Sequence, residues 1–432
     1  MIRSAAGTVA TRVVVMAGNL ATIMAVGHAL GSEGLGVVSL IVLGITFILL
    51  LNNVIGGGAL TYLVPRHALR RLLLPAYLWA LLTAGIATVT LQHLALVPVL
   101  YVQAVIILAL VQSTTAIHSA VLLGQQRIAA YNATAVVQAV VLPVAYFGLC
   151  QFAGECSLRS YIHAAYLASV AAAVIAASAV LMRRTTNATP ADHGQVAALR
   201  GMVRQGGLVQ AANLLQLLNY RLAYYLIERW LGMAALGVYS VTTQLAESAW
   251  LGPKSLGTVL YARISNTAER EQQRGTTIAI LKGSVALAAG VVLILLMVPD
   301  PIYGLVFGRE VKGVQPLLLL LVPGLLGMAA SQAYSHYFSG VGLNRHNAIG
   351  SGIGLLCTVL FGFWSIPTYG LAGAATTASV AYSANALYQM VAFLRVTGSA
   401  LRDLLPRPSD LGLLREAWRE RKDGADPDTD QG

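Results

Sequence analysis

The sequence predicts an all-α integral membrane protein of about twelve transmembrane helices in two related halves. Three observations carry that prediction: composition, a recurring apolar run and an internal repeat. Of 432 residues, 57% belong to the hydrophobic set and 10% are charged, where a soluble domain carries about a quarter charged. A water-facing surface cannot be built from such a chain. Apolar runs recur along almost its whole length, each near the ~20 residues that cross a bilayer core. Finally, Leu30, Gly31, Leu35, Gly36, Val37 and Ser39 match Leu231, Gly232, Leu236, Gly237, Val238 and Ser240 at a constant offset of 201.

The apolar periodicity places helices at about 10–30, 36–64, 72–92, 97–123, 130–152, 160–182, 206–231, 237–260, 276–298, 315–338, 348–366 and 371–394. The run from Val13 to Leu30 follows Arg3 and Arg12, as in a secretory signal. No small-residue cleavage site follows and further spans come at once, so it reads as the first helix. The formal charge of +11 does not gather into a nucleic-acid patch. With the N-terminus inside, about 22 of the 28 Lys and Arg residues fall on one side, against Arg159, Arg229, Arg309 and Lys312 on the other. That asymmetry predicts both termini in the cytoplasm.

The stretch 183–205, with Thr, Asn, Pro, Asp and Gly, predicts a flexible cytoplasmic linker. It divides the chain into an N-terminal six-helix bundle (1–182) and a C-terminal one (206–396), followed by a cytoplasmic tail (397–432). Six spans per half preserve orientation, so the halves are expected to be related by an axis along the membrane normal. In the tail, Ser409 is expected to cap a surface helix carrying Leu411, Leu414 and Trp418, ahead of a disordered acidic end. Cys150 and Cys156 lie near a predicted external loop where a disulfide is chemically permitted. Two cysteines six apart are more often unpaired, and both readings stay open.

Ionisable residues inside spans are the sharpest functional clue, because each costs about 2.5–3.5 kcal/mol on insertion scales. Arg221, Glu247 and Lys254 stand out. Arg221 lies ten residues before Leu231 and Glu247 ten after Gly237, so a hairpin brings them to similar depth as candidates for an ion pair. Such a pair either locks helices seven and eight or faces a water-filled cavity and exchanges partners with an anionic substrate. Lys254 stands beside Pro253, which should bend that helix, and either snorkels to the inner interface or meets substrate. Arg12, near the cytoplasmic end of the first helix, anchors topology or meets substrate. Asn213, Gln216, Tyr220 and Tyr224 share one face of helix seven, as a lumen stripe or as interhelical hydrogen bonding. Asn52 and Asn53 precede Gly56, Gly57 and Gly58, which form either a hinge at the same lumen or a close helix packing site. The histidines show no ligand spacing, so neither a metal site nor a cofactor is expected. No nucleophile–base pair or phosphate loop is visible, which argues against an enzyme.

Several phrases resemble those of polysaccharide repeat-unit flippases of the Wzx type. They are Leu30-Gly31-Ser32-Glu33-Gly34-Leu35-Gly36, Leu123-Gly124-Gln125-Gln126-Arg127 with Tyr131-Asn132, Leu231-Gly232 through Gly237-Val238-Tyr239-Ser240, Phe307-Gly308-Arg309-Glu310, and Tyr369-Gly370-Leu371-Ala372-Gly373-Ala374-Ala375. These flippases share a superfamily with multidrug and toxin extrusion carriers and the lipid II flippase. The resemblance implies two six-helix bundles around a central cavity that opens alternately to each side of the bacterial inner membrane. It implies a polyprenyl-diphosphate-linked oligosaccharide as cargo, for exopolysaccharide, capsule or O-antigen synthesis, with a polysaccharide polymerase and glycosyltransferases as partners. Its cavity cations would be Arg221 and Lys254, carried by depth and not by a fixed motif. The rival within the superfamily is a cation-coupled drug or metabolite exporter. Helices one to six offer no clear intramembrane carboxylate for it, although Glu247 is available. A polymerase or a non-transporting scaffold is the more distant alternative.

Overall fold

The computed structural model describes residues 2–65, 67–93, 96–154, 156–182, 195–267 and 269–405. Among these the chain is helical with no strand: α1 Ile2–Asn52, α2 Gly57–Leu63, α3 Leu69–His93, α4 Val99–Gly124, α5 Ile128–Ala153, α6 Leu158–Leu181, α7 Gln195–Leu231, α8 Met233–Ser248, α9 Leu251–Asn266, α10 Arg270–Met297, α11 Asp300–Phe307, α12 Val314–Gly340, α13 Arg345–Thr397 and α14 Leu401–Leu404. Eight helical stretches are long and apolar enough to cross a membrane. Two of them, Ala10–Leu63 and Arg345–Thr397, are double length and reverse at Gly31 and Gly370, where φ is +66° and +60°. With α7 and the broken α8–α9 pair, which are more polar, the expected twelve crossings are present.

The burial pattern is that of a protein in lipid. Between the buried Leu72 and Leu91 at its two ends, the buried face of α3 is small, with Ala76, Ala80, Thr83, Ala84 and Ala87, while Leu74, Leu78, Leu81, Leu82, Ile86 and Val89 are exposed. On α6, Ala164, Ala168, Ala172 and Ala176 are buried, and Leu167, Val170 and Val174 face out. In water this arrangement would waste the large apolar groups. In a bilayer it is favourable, because small residues let helices pack closely and large ones meet acyl chains. The chain is a multi-pass membrane protein.

The described chain forms two compact units. The first holds residues 1–244, 298–318 and 358–377, and the second 245–297, 319–357 and 378–432. In the first unit one apolar core joins α1, α3, α4 and α6 through Ile41, Ile48, Leu91, Val105 and Ala165. A second gathers α2, α3 and α4 around Leu60, Leu72 and Ile117, with Met202 of α7 fully buried against them. Within the stretch 183–205 the helix α7 begins at Gln195, and Met202 is fully buried. Residues 183–194 and the tail from 406, with its expected surface helix, lie outside the described residues. In the second unit α9, α10, α12 and α13 pack around Leu260, Tyr334, Tyr337, Phe338 and Phe393.

The repeated turn is where the first unit is tightest. Gly31 and Gly232, equivalent at the offset of 201, both take positive φ (+66° and +86°), which glycine alone adopts readily. A Cβ on Gly36 would fall 2.1 Å from the Met233 carbonyl oxygen, and one on Gly237 would fall 1.8 Å from that of Ser32. Ser32 and Met233 are themselves 201 apart. The two copies thus meet through equivalent atoms, about a local twofold that runs between Gly36 and Gly237.

Beside this contact lies α11, within the stretch between the predicted helices 276–298 and 315–338. The Asp300 carboxylate accepts from the backbone N–H groups of Gly313 (2.8 Å) and Gln315 (3.0 Å), a favourable place for an anion at the positive start of α12. The Glu310 carboxylate accepts from the Ser32 N–H (2.9 Å) and hydroxyl (3.0 Å). Those two donors hold its carboxyl below the usual value. At the other end of the first unit, Arg127 donates to the Ala179 carbonyl in the last turn of α6, a favourable place for a cation. Cys150 and Cys156 flank the left-handed Gly154 turn and are disulfide-bonded, with Cα atoms 4.6 Å apart. The bridged alternative is the one this structure adopts.

Candidate functional site

Arg221 sits ten residues before the end of α7 in the first unit, half-buried. Its Nη1 donates to the Tyr224 hydroxyl at 3.0 Å, and its guanidinium carbon lies 5.0 Å from the centre of that ring. The Tyr224 hydroxyl is 2.7 Å from Thr243 Oγ1 on α8. Thr243 in turn lies 3.0 Å from the Tyr239 carbonyl and 3.1 Å from that of Ser240, its hydrogen-bond acceptors. The donors can therefore be ordered. Thr243 gives its proton to the backbone, Tyr224 gives its own to Thr243, and the remaining Tyr224 lone pair receives Arg221. The chain polarises in one direction and fixes the cation. Tyr224 is 4% exposed, so it positions Arg221 from within the packing and does not itself form an open wall.

The rest of the α7 stripe is more open. Asn213 and Gln216 are exposed, the first donating to Gln210 Oε1 (3.1 Å) and the second to the Tyr220 hydroxyl (2.9 Å). Between them and Tyr224 lies Asn219, buried, whose Oδ1 accepts from Thr358 at 3.0 Å. The face predicted for α7 is thus a graded one, exposed at Asn213 and Gln216 and buried at Asn219 and Tyr224.

Glu247 and Lys254 belong to the second unit. They flank the interruption between α8 and α9, where Ala249 and Trp250 donate to the carbonyls three residues back. Pro253 accounts for the break, since its ring occupies the space that the Ala249 carbonyl would need in a continuous helix. Glu247 is half-buried and Lys254 exposed.

The α1 candidates stand apart from these. Arg12 is exposed on the first limb of α1. Asn52 ends α1 and Asn53 begins the break before α2, with Gly57 at φ +47° restarting the helix. Asn53 is half-buried, whereas Asn52 is fully buried, and neither end of its carboxamide has a hydrogen-bond partner among the described residues.

Two polar constellations escaped the sequence reading because both are uncharged. In the second unit, Ser331 donates to Gln389 Oε1 (2.6 Å), Asn385 to Ser331 (3.2 Å) and Gln389 to Asn347 Oδ1 (3.3 Å), a buried network that ties α12 to both limbs of α13. In the first unit a cavity of about 190 Å³ is lined by Asn19, Thr46, Gln112, Gln138, Tyr161 and Ser169 among apolar residues. The available signal was a carboxamide at the centre of three apolar runs, at positions 19, 112 and 138.

No protein-family model matches the chain, and no curated protein matches it. Solved structures do. An inward-facing conformation of a multidrug resistance MATE family transporter of the MOP superfamily superposes with a TM-score of 0.70 at 15% identity, over 88% of this chain and 94% of that one. The lipid II flippase MurJ in an inward closed conformation gives 0.73 at 12% identity, over 94% and 89%. An outward-facing MATE family transporter gives 0.61 at 16% identity, over 91% and 95%. The fold of this chain is that of MOP superfamily transporters.

Proposed function

We propose that this chain is a flippase of the polysaccharide repeat-unit type, carrying polyprenyl-diphosphate-linked oligosaccharide from the cytoplasmic to the periplasmic leaflet of a bacterial inner membrane. The two six-helix bundles, 1–182 and 206–396, open alternately to each side, with both termini cytoplasmic. The observation that carries the reading is Arg221: a half-buried cation on α7, oriented by the Tyr224–Thr243 chain. In this reading it lies within the bilayer, where a charge costs about 2.5–3.5 kcal/mol and such residues mark substrate or ion paths. The likeness to a lipid II flippase over 94% of the chain supports the same class of cargo.

The chemistry follows from the cargo's two ends. Glycan hydroxyls cannot enter hydrocarbon, where each unpaired group costs several kcal/mol, while the polyprenyl tail stays in lipid. Arg12 meets the diphosphate at the cytoplasmic entrance. Lys254, exposed beside the broken helix, and Arg221 then hold it by charge-assisted hydrogen bonds. Glu247, half-buried at the end of α8, is the carboxylate available to balance a cation when no cargo is present. Asn213, Tyr220 and the Asn52–Asn53 break serve the neutral part of the cargo, and a polymerase and glycosyltransferases act before and after the flip.

Cells lacking the chain test this. Lipid-linked repeat units should accumulate out of reach of a periplasmic glycosidase, be restored to reach by the native chain, and stay hidden with Arg221→Ala/Lys254→Ala. Full restoration by a folded double variant would overturn the cationic path. Restoration of drug resistance in place of glycan exposure would favour the exporter reading.

A further inference from the structure

The uncharged cavity of the first unit is built by both limbs of α1 with α4, α5 and α6. Among its lining residues there is no acid and no base. Its polar groups are short of partners. Tyr161 is 4% exposed and its hydroxyl has no hydrogen-bond partner among the described residues. The Gln138 carboxamide has none either. Gln112 uses its amide nitrogen on Ser169 Oγ at 3.2 Å and keeps its oxygen free for the cavity. Thr46 gives its proton to the Val42 carbonyl at 2.7 Å and keeps its lone pairs.

Tyr161 is buried, Gln112, Gln138 and Thr46 are half-buried and Asn19 is exposed, so the space they share is reached from outside and presents hydrogen-bonding groups to a polar occupant. At about 30 Å³ per water, the cavity of about 190 Å³ holds roughly six. That is below the ~300 Å³ at which drug-sized pockets begin, and it suits one hydroxyl-bearing six-membered ring. Carboxamides and hydroxyls each offer a donor and an acceptor, as a sugar hydroxyl does, while Ile45, Leu49 and Leu142 give an apolar wall for the C–H face of a ring. A neutral lining rejects the diphosphate. Asn19 and Val42, both exposed, mark where the cavity opens.

We propose that this cavity is a sugar subsite, which takes one neutral ring of the carried glycan while the cations hold the diphosphate. The inference rests on the flippase reading and adds to it where the glycan is recognised. The test uses the full chain in lipid nanodiscs with a panel of methyl hexosides (gluco, galacto, manno and N-acetylgluco), read by saturation-transfer NMR. In parallel, leaflet exchange of polyprenyl-diphosphate oligosaccharide is measured in vesicles. At least one hexoside should show saturation. Gln138→Leu/Tyr161→Phe should weaken its binding about tenfold, equivalent to 1.4 kcal/mol, and should slow exchange of the glycan. Ala168→Leu, which fills the space without removing a polar group, should do the same. If no hexoside binds the native chain, or both variants bind as it does, the cavity holds water only and the subsite is overturned. Hexoside binding without leaflet exchange would leave the subsite standing and overturn the flippase reading. Exchange without hexoside binding would do the reverse.

Discussion

Gly237→Ala is the substitution whose consequence the structure defines most closely. The added carbon would stand 1.8 Å from the Ser32 carbonyl oxygen, whereas real Cβ atoms essentially never approach within 3.0 Å, so the two turns must part by at least 1.2 Å there. The opposing atom is backbone, and no side chain can swing aside. Overpacking of this kind costs about 1–3 kcal/mol, an equilibrium shift of about 5–150-fold. The reporter is Leu35→Cys in a Cys357→Ala background, since Leu35 is 3% exposed between the turns and the other two cysteines are bonded to each other. Labelling by a membrane-impermeant maleimide from outside should be slow with Gly237 present and faster by about 5–150-fold with alanine. Gly36→Ala, opposite the equivalent Met233 carbonyl, should act alike. Unchanged labelling in both would refute the idea that this backbone contact is what shields Leu35.

Four other substitutions or treatments probe neighbouring links. Tyr224→Phe removes the acceptor for Arg221 and costs about 1.5–3 kcal/mol for a hydrogen bond to a charged group; pyrophosphate affinity should fall about tenfold or more while helix content is unchanged. Glu310→Gln weakens the contact with Ser32, so Leu35→Cys should label faster. With Glu310 present the contact is complete above the usual carboxyl value and is lost as pH falls through the lowered one, so labelling, divided at each pH by that of a free thiol because only the thiolate reacts, should be flat through the neutral range and rise only in acid below the usual carboxyl value. Pro253→Ala restores the missing N–H, and should join α8 to α9 and slow leaflet exchange without lowering thermal stability. Peptide mapping without reductant should find a Cys150–Cys156 cross-link and one free thiol, Cys357.

Much of this architecture was legible in the chain because lipid leaves so little choice. Apolar runs long enough to cross must be helices, and the Leu-Gly phrases at 30–36 and 231–237 mark turns that only glycine permits. The repeat itself was visible at the offset of 201, but sequence identity does not reveal that its two copies touch; that needed the carbonyls of Ser32 and Met233. Pro253 announced the break in the eighth span, as did the Asn52–Gly58 phrase in the second. The short α11 and the start of α7 were hidden for a different reason. Eight residues after Pro299 show no full hydrophobic period, and the polar composition before Gln205 outweighed the single buried Met202. At the candidate site, Arg221 is visible in the sequence as a charge in an apolar run, whereas Thr243, which orders the Tyr224 proton, looks like any other hydroxyl in a helix. The same holds for Gln112, Gln138 and Tyr161, whose importance lies in what they fail to bond, a property no sequence displays.

The most direct measurement of the account is leaflet exchange itself. Purified chain is reconstituted in vesicles with polyprenyl-diphosphate oligosaccharide in both leaflets, and the fraction cleaved by an external glycosidase is followed with time. The account predicts that cleavage passes beyond the outer-leaflet half towards completion with the native chain, and stops at that half with Arg221→Ala/Lys254→Ala. Cleavage that stops at the outer half with the folded native chain would contradict it.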